Sequence, residues 1–341
     1  MTSRFCILFL AILSLPLLGF PTTAMSQSKS FWTPPSSVRT CGGSFSNVRP
    51  FELSTKIVRY DYPRDHGLHF THYYGIGVSR TMAGRDVEAF KKYILSVAAA
   101  KTFTQGSYNS GNSPFYIQST ILKLTAMYIT YMESKGLLAP DERETLIAWG
   151  KPMIKNQKQR RGNSAADSRA ASGVALISWG SLTNDKRLIK AGQKNWEQAL
   201  PFVIGSIGKL KRHPDHKNVP LSELSLEDAY NEALAAVVEG AAMLENLGFD
   251  AFNAKYKGRS VHDAIAWWTG VVATKPPGFK GYSRKSHTWT VAWMPIYLSK
   301  YPNNPVAGQM RAIIKDVTRN KKPMFESVGL GTATDCLWGY K

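Results

Sequence analysis

The chain has 341 residues, 43% of them hydrophobic, and 43 Lys and Arg stand against 24 Asp and Glu, a formal net charge of +19. Such an excess implies a polyanionic partner: nucleic acid, an anionic membrane surface or an acidic polysaccharide. No zinc-finger spacing, aromatic RNA-binding motif, phosphate loop, dinucleotide fingerprint or Gly-x-Ser-x-Gly elbow is present, so nucleic acid and several common enzyme classes drop out.

Residues 1–26 have the layout of a secretory signal. Arg4 supplies the positive start, Ile7 to Phe20 an apolar core interrupted by Pro16, and Thr22-Thr23-Ala24 the small residues of a cleavage site. The apolar run is short for a spanning helix, and nothing later in the chain is long and apolar enough to be one. The expected product is an exported protein, periplasmic or secreted. Export removes Cys6 and leaves Cys41 and Cys336, one near each end. In an oxidising compartment these two are expected to pair, which the chain-entropy model values at on the order of 5 kcal/mol for so long a loop.

Residues 27–341 contain no long linker and read as one domain. After a stretch rich in Pro, Gly, Ser and Thr up to Asp65, the pattern turns helical. Apolar residues recur at helical spacing over Asp86–Lys101, Phe115–Ser134, Asp141–Lys155, Ser164–Leu182, Asp185–Ile204, Ser222–Leu247, Ser260–Thr274, His287–Leu298 and Asn304–Val317. Start signals recur at Pro140-Asp141-Glu142, Thr183-Asn184-Asp185 and Ser225-x-x-Asp228, and Gly136, Gly248 and Gly258 mark expected ends. ALAAVVEGAAML, from Ala233 to Leu244, is apolar around most of its circumference, so its helix lies between other helices. Strand signals are scarce. The expected fold is all-α: antiparallel helix hairpins forming a bundle, solenoid or closed α/α toroid.

Three stretches could carry chemistry. KNQKQRRGN, Lys155 to Asn163, is a basic segment that leads into a helix through Asn163, Ser164, Asp167 and Arg169. Those residues can cap the helix, and the same N-terminal dipole favours bound anions. SELSLEDAYNEAL places Tyr230 and Asn231 on an apolar helix. GYSRKSHTWTVAW gathers Arg284, Lys285, His287 and Trp289, where an indole could stack on a sugar face while cations hold carboxylates. The histidines do not suggest a metal site: His66, His69 and His72 lack a carboxylate at ligand spacing, and His213 and His216 flank Pro214. No metal and no cofactor is expected.

Four segments together resemble the mannuronate-specific alginate lyase family, periplasmic α/α toroid enzymes. Cys41 followed by FELSTKIVRYD (Phe51 to Asp61) is similar to the family's cysteine and Ser-Lys-Tyr lid, with Lys56 at the lysine. RRGNSAADS…SLTND resembles its Asn-Asn-His helix start. VPLSEL…DAYNEAL resembles Leu-Pro-x-Glu-Leu…Ala-Tyr-His-x-Tyr-Ala-Leu, and AWMPIYLSKYP (Ala292 to Pro302) resembles Ala-Trp-Leu-Glu-Pro-Tyr. The segments occur in family order across most of the chain.

The resemblance implies an incomplete α/α toroid that cleaves a uronate-rich polysaccharide by β-elimination. Catalysis would fall to Tyr230 as base and acid, with Asn163 and Arg169 neutralising the substrate carboxylate. Lys56, Lys158, Arg160, Arg161, Asn231, Arg284, His287 and Trp289 would contact substrate. The chain departs from the family in two places. The histidine position falls on Ser164, or on Ser168 without gaps, and Glu223 stands where the family has arginine. A non-catalytic acidic-polysaccharide-binding protein on the same fold is therefore the alternative. A hydrolase would instead need two carboxylates, with Asp167, Asp228 and Glu232 as candidates. The protein is expected to act as a monomer.

Overall fold

The computed structural model describes residues 29–36, 38, 66–105, 113–158, 166–208, 226–274, 291–318, 326–327 and 331–340. The leader, Cys41 and Lys56 lie outside these residues, as do Arg160, Arg161, Asn163, Ser164, Glu223, Arg284, His287 and Trp289. Twelve helices and two short antiparallel hairpins are found among the described residues. The helices are α1 (His66–Met82), α2 (Val87–Ala99), α3 (Ser113–Ser134), α4 (Pro140–Lys158), α5 (Ala166–Leu182), α6 (Lys186–Glu197), α7 (Leu200–Gly205), α8 (Leu226–Asn246), α9 (Val261–Thr274), α10 (Met294–Lys300), α11 (Ala307–Thr318) and α12 (Thr334–Leu337). The hairpins pair β1 (Lys255–Tyr256) with β2 (Arg259–Ser260), and β3 (Glu326–Ser327) with β4 (Gly331–Thr332).

Most expected helices form where the pattern places them, for the expected reasons. The Asp185 carboxylate caps α6 by accepting from the backbone N–H groups of Arg187 and Leu188, at 2.9 and 3.3 Å. Glu142 reaches back to the Ala139 N–H at 2.9 Å and starts α4 around Pro140. Four details differ. The span expected as one helix from Asp185 to Ile204 is two, α6 and α7, because Pro201 has no N–H to continue α6 and instead opens α7. Gly258 turns the β1–β2 hairpin rather than ending a helix. α10 begins at Met294, with Pro295 in its first turn. α1, whose glycines hid it, is a full helix. At Gly77 an added Cβ would sit 2.0 Å from the Phe90 ring, so the missing side chain lets α2 dock.

The packing order explains the architecture. α3 touches α1 and α5; α5 touches α8; α8 touches α10. The C-terminal segment closes this series, since α12 packs on both α10 and α1, and β4 on α1. α2, α4 and α6 form an outer layer, with α4 on α3 and α6 on α5. Inner helices therefore bury residues all round: α5 is buried without interruption from Ala170 to Gly180. The α5–α6 pair is closest at Gly173 and Gly192, where a Cβ on either would lie within 2.8 Å of the other's carbonyl oxygen. Between α3 and α8, Lys123 and Glu239 form an ion pair at 2.9 Å with both side chains 1% exposed, and the Trp338 indole also donates to Glu239.

Candidate functional site

The N-terminal ends of α3 and α5 meet the second turn of α8 at one end of the molecule. There the Tyr116 hydroxyl of α3 faces the side chains of Asp167 and Ser168 from α5, with the Glu232 charge of α8 acting on it as well. The C-terminal turn of α4 joins them: Ser119 Oγ donates to Gln157 Oε1 at 3.2 Å, and Asn156 Nδ2 donates to Gln118 Oε1 at 3.2 Å. Inner helices thus present three N-terminal ends together, each with the positive end of its dipole. Tyr116 and Ser168 are buried, whereas Asp167, Arg169 and Glu232 are half-buried at the rim.

Polar groups in this mouth are not fully satisfied. Neither Tyr116 Oη nor Ser168 Oγ completes a hydrogen bond of normal geometry, although both atoms are enclosed. Burial, reinforced by the Asp167 carboxylate beside it, pushes the Tyr116 hydroxyl well above the ordinary phenol range. The sequences joining α4 to α5, α7 to α8 and α9 to α10 are rich in Lys and Arg, among them Arg160, Arg161, Lys209, Lys211, Arg212, Lys280, Arg284 and Lys285.

The sequence-expected residues divide into three groups. Arg169 stands in the first turn of α5, at the mouth, and Lys158 is the last residue of α4. Tyr230 and Asn231 are in the wall behind the mouth rather than on its surface. Tyr230 is 1% exposed, its hydroxyl donates to the Val203 carbonyl at 2.9 Å, and its ring packs on Trp267 and Trp268. Burial holds its hydroxyl far above the ordinary phenol range, opposite to what a base needs. Asn231 is equally buried, and its Oδ1 accepts from the indoles of Trp268 and Trp293 at 3.3 and 3.1 Å. That amide ties α8 to α9 and to the start of α10. The physical reason for both departures is the surrounding ring of aromatic side chains, which the local sequence does not reveal. Lys56, Arg160, Arg161, Asn163, Arg284, His287 and Trp289 lie outside the described residues and make up the third group.

Two carboxylates that the sequence offers only as hydrolase candidates, Asp167 and Glu232, do converge on the mouth. Tyr116 is the residue that sequence reasoning misses. Its neighbours, SPFYIQS, signal only a buried aromatic in a first helical turn. Among the described residues no group of His, Cys, Asp and Glu is arranged to hold a metal ion, and no helix is long and apolar enough to cross a membrane.

Comparison with known proteins places this geometry. No protein-family profile and no curated protein matches the chain. Solved structures do match. Alginate lyase A1-III from Sphingomonas species A1 aligns with 94% of this chain and 87% of its own at a TM-score of 0.61 and 16% identity. The chain has the alginate lyase A1-III fold. Two further structures of that enzyme, a histidine-to-alanine and a tyrosine-to-phenylalanine variant each complexed with a tetrasaccharide, align at TM-scores of 0.61 and 0.62 with 16% identity. They cover 94% and 86% of this chain, and 86% and 84% of their own. The architecture is accordingly an α/α toroid, with α1, α3, α5, α8 and α10 as its inner helices and α12 filling the gap in the ring. At this identity the likeness establishes the fold of a strongly divergent chain.

Proposed function

We propose that this chain is an exported polysaccharide lyase that cleaves a uronate-rich acidic polysaccharide, of the polymannuronate type, by β-elimination. The observation that carries the proposal is the mouth itself. Three inner-helix N-termini meet around a phenol, on a fold shared with a tetrasaccharide-binding alginate lyase, in a chain whose α4–α5, α7–α8 and α9–α10 connecting sequences are strongly basic. A polyanionic chain is attracted both by the helix dipoles and by the +19 excess.

In this reading Arg169 and Asn163 neutralise the substrate carboxylate, which acidifies H5. Lys158, Arg160, Arg161, Arg284 and His287 hold neighbouring uronates, Trp289 stacks on a sugar face, and Lys56 contacts the bound chain. Tyr230 and Asn231 keep the wall in place. Residues 1–26 are removed on export to the periplasm or beyond, and residues 27–341 form one domain that acts as a monomer without a cofactor. Cys41 and Cys336 pair across the chain ends. Val38, three residues before Cys41, packs against Ala333 and Cys336, which supports that pairing.

The test is ultraviolet detection of the 4,5-unsaturated uronate after mature protein is offered polymannuronate, polyguluronate, glucuronan and a neutral glucan. The expected result is a rise with one acidic polymer and none with the glucan. Salt-sensitive binding to one polymer with no unsaturated product would replace the lyase by a binding protein, consistent with a serine at the family histidine position. Reducing ends released without unsaturation would indicate a hydrolase.

A further inference from the structure

The wall position of Tyr230 leaves the proton transfers of an elimination without a residue, and the mouth supplies one. Tyr116 Oη and Ser168 Oγ are both enclosed, both point into the meeting place of α3, α5 and α8, and neither completes a hydrogen bond of normal geometry. Tyr116 is 9% exposed and Ser168 1%, so solvent does not satisfy them. Leaving a buried hydroxyl without a partner costs about 1–3 kcal/mol, and two at one spot, beside two half-buried carboxylates, mark a place arranged for a polar ligand. We propose that Tyr116 is the general acid of this site and Glu232 its base, with Asp167 and Ser168 as the positioning residues that aim the phenol. This rests on the lyase reading above and assigns its chemistry.

The protonation state of the phenol suits its role. A phenol flanked by Asp167 and Glu232 in a buried position stays protonated at neutral pH, so it starts the cycle able to donate and unable to accept. Glu232, in the second turn of α8, is half-buried, with Oε1 enclosed on the same side as the Tyr116 hydroxyl that its charge acts on. When Arg169 neutralises the substrate carboxylate, the Glu232 carboxylate takes H5. The C5–H electron pair becomes the C4=C5 bond, the C4–O4 bond breaks, and the departing oxygen takes the Tyr116 proton. The phenolate and the carboxylic acid left behind exchange that proton through solvent, and both groups return to their starting states. No water is consumed and no redox partner is needed.

The experiment uses the mature full-length protein and its Tyr116→Phe, Glu232→Gln and Asp167→Asn variants on the acidic polymer that the wild type cleaves. Alongside it, a uronoside carrying a nitrophenyl ether at O4 is tested, because its leaving group departs without needing a proton. Tyr116→Phe is expected to lower kcat on the polymer by roughly 10²–10⁴-fold with little change in KM, and to run near the wild-type rate on the nitrophenyl ether. Its Tm is expected to change little, since the deleted hydroxyl lies against Asp167 and Ser168 but completes no hydrogen bond of normal geometry with them. Glu232→Gln is expected to be slow on both substrates, because the base is needed in either case. Asp167→Asn is expected to lower kcat less than either. Polymer turnover by Tyr116→Phe at the wild-type rate overturns the assignment and leaves the lyase reading standing, as does an equal loss on both substrates. A wild type that forms no unsaturated product from any acidic polymer overturns the lyase reading and this assignment with it.

Discussion

The Tyr230 hydroxyl donates to the Val203 carbonyl at 2.9 Å, tying α8 to α7 behind the mouth. Val203 is in the short helix α7, whose own ladder is too brief to satisfy its carbonyls, so the phenol acts as an outside donor. Tyr230→Phe would keep the packing on Trp267 and Trp268 and remove only this bond. The expected cost is about 1–2 kcal/mol, the value of a buried carbonyl left without its donor, read as a fall of several degrees in Tm. A kcat loss of several orders of magnitude at unchanged Tm would contradict this and return the proton transfer to Tyr230.

The buried pair of Lys123 and Glu239 joins α3 to α8, two of the helices that build the mouth. Burial alone would lower the lysine pKa and raise that of the glutamate, and each partner opposes the shift of the other. Lys123→Met removes the compensation and leaves Glu239, among the described residues, with the Trp338 indole at 3.3 Å. Breaking one side of such a pair costs about 3–5 kcal/mol. The double change Lys123→Met with Glu239→Gln removes both charges and is expected to recover more than half of that loss in urea denaturation. Equal destabilisation by the single and double variants would show that shape rather than charge decides the site.

How much of this was legible beforehand depended on whether a residue's role is local. Asp185 and Glu142 cap helices within three residues of themselves, and the sequence announced both. α1 was not announced, because Gly75 and Gly77 look like breakers until the Phe90 ring of α2 is seen to require a missing side chain at Gly77. Pro201 was visible but its effect, splitting one helix into two, was not read. The site divides in the same way. The basic stretch before α5 and the carboxylates Asp167 and Glu232 stand out as residue types. Their convergence on Tyr116 depends on three helix starts separated by at least 50 residues in the chain, and no local pattern encodes that. Tyr230 and Asn231 carry the opposite lesson. A polar residue on an apolar helix looked like a functional group, yet a carbonyl and two indoles account for it.

Gly173 and Gly192 set how closely α6 approaches α5, and α5 carries Asp167 and Ser168. A Cβ at residue 192 would lie 2.7 Å from the Gly173 carbonyl oxygen and 2.8 Å from the Ile177 nitrogen, backbone atoms that cannot rotate away. Gly192→Ala therefore forces the helices apart, at about 1–3 kcal/mol for overpacking. The gain in helix propensity of up to ~1 kcal/mol offsets only part of this. A Tm several degrees below wild type is expected, and an unchanged or higher Tm would mean that the α5–α6 contact yields more readily than its geometry indicates.

At the far end of α8, His262 gives a pH dependence with a defined sign. Its Nδ1 is 2.7 Å from the Tyr297 hydroxyl, and its ring stacks on Phe252. Burial lowers its pKa, against smaller opposing effects of Glu245, Asp263 and Asp250. A lowered folded pKa means that the unfolded chain binds the proton first as pH falls. The contribution of His262 is thus fully present above about 6.5 and is lost as pH falls through the folded value. Asp263, whose carboxyl is held below its usual range first by the Ser260 N–H, titrates under more acidic conditions and does not interfere. Thermal melts at pH 7.5 and 5.5 should show a smaller drop for His262→Gln than for wild type. Identical drops in the two proteins would place the acid sensitivity elsewhere, in groups that the substitution leaves untouched.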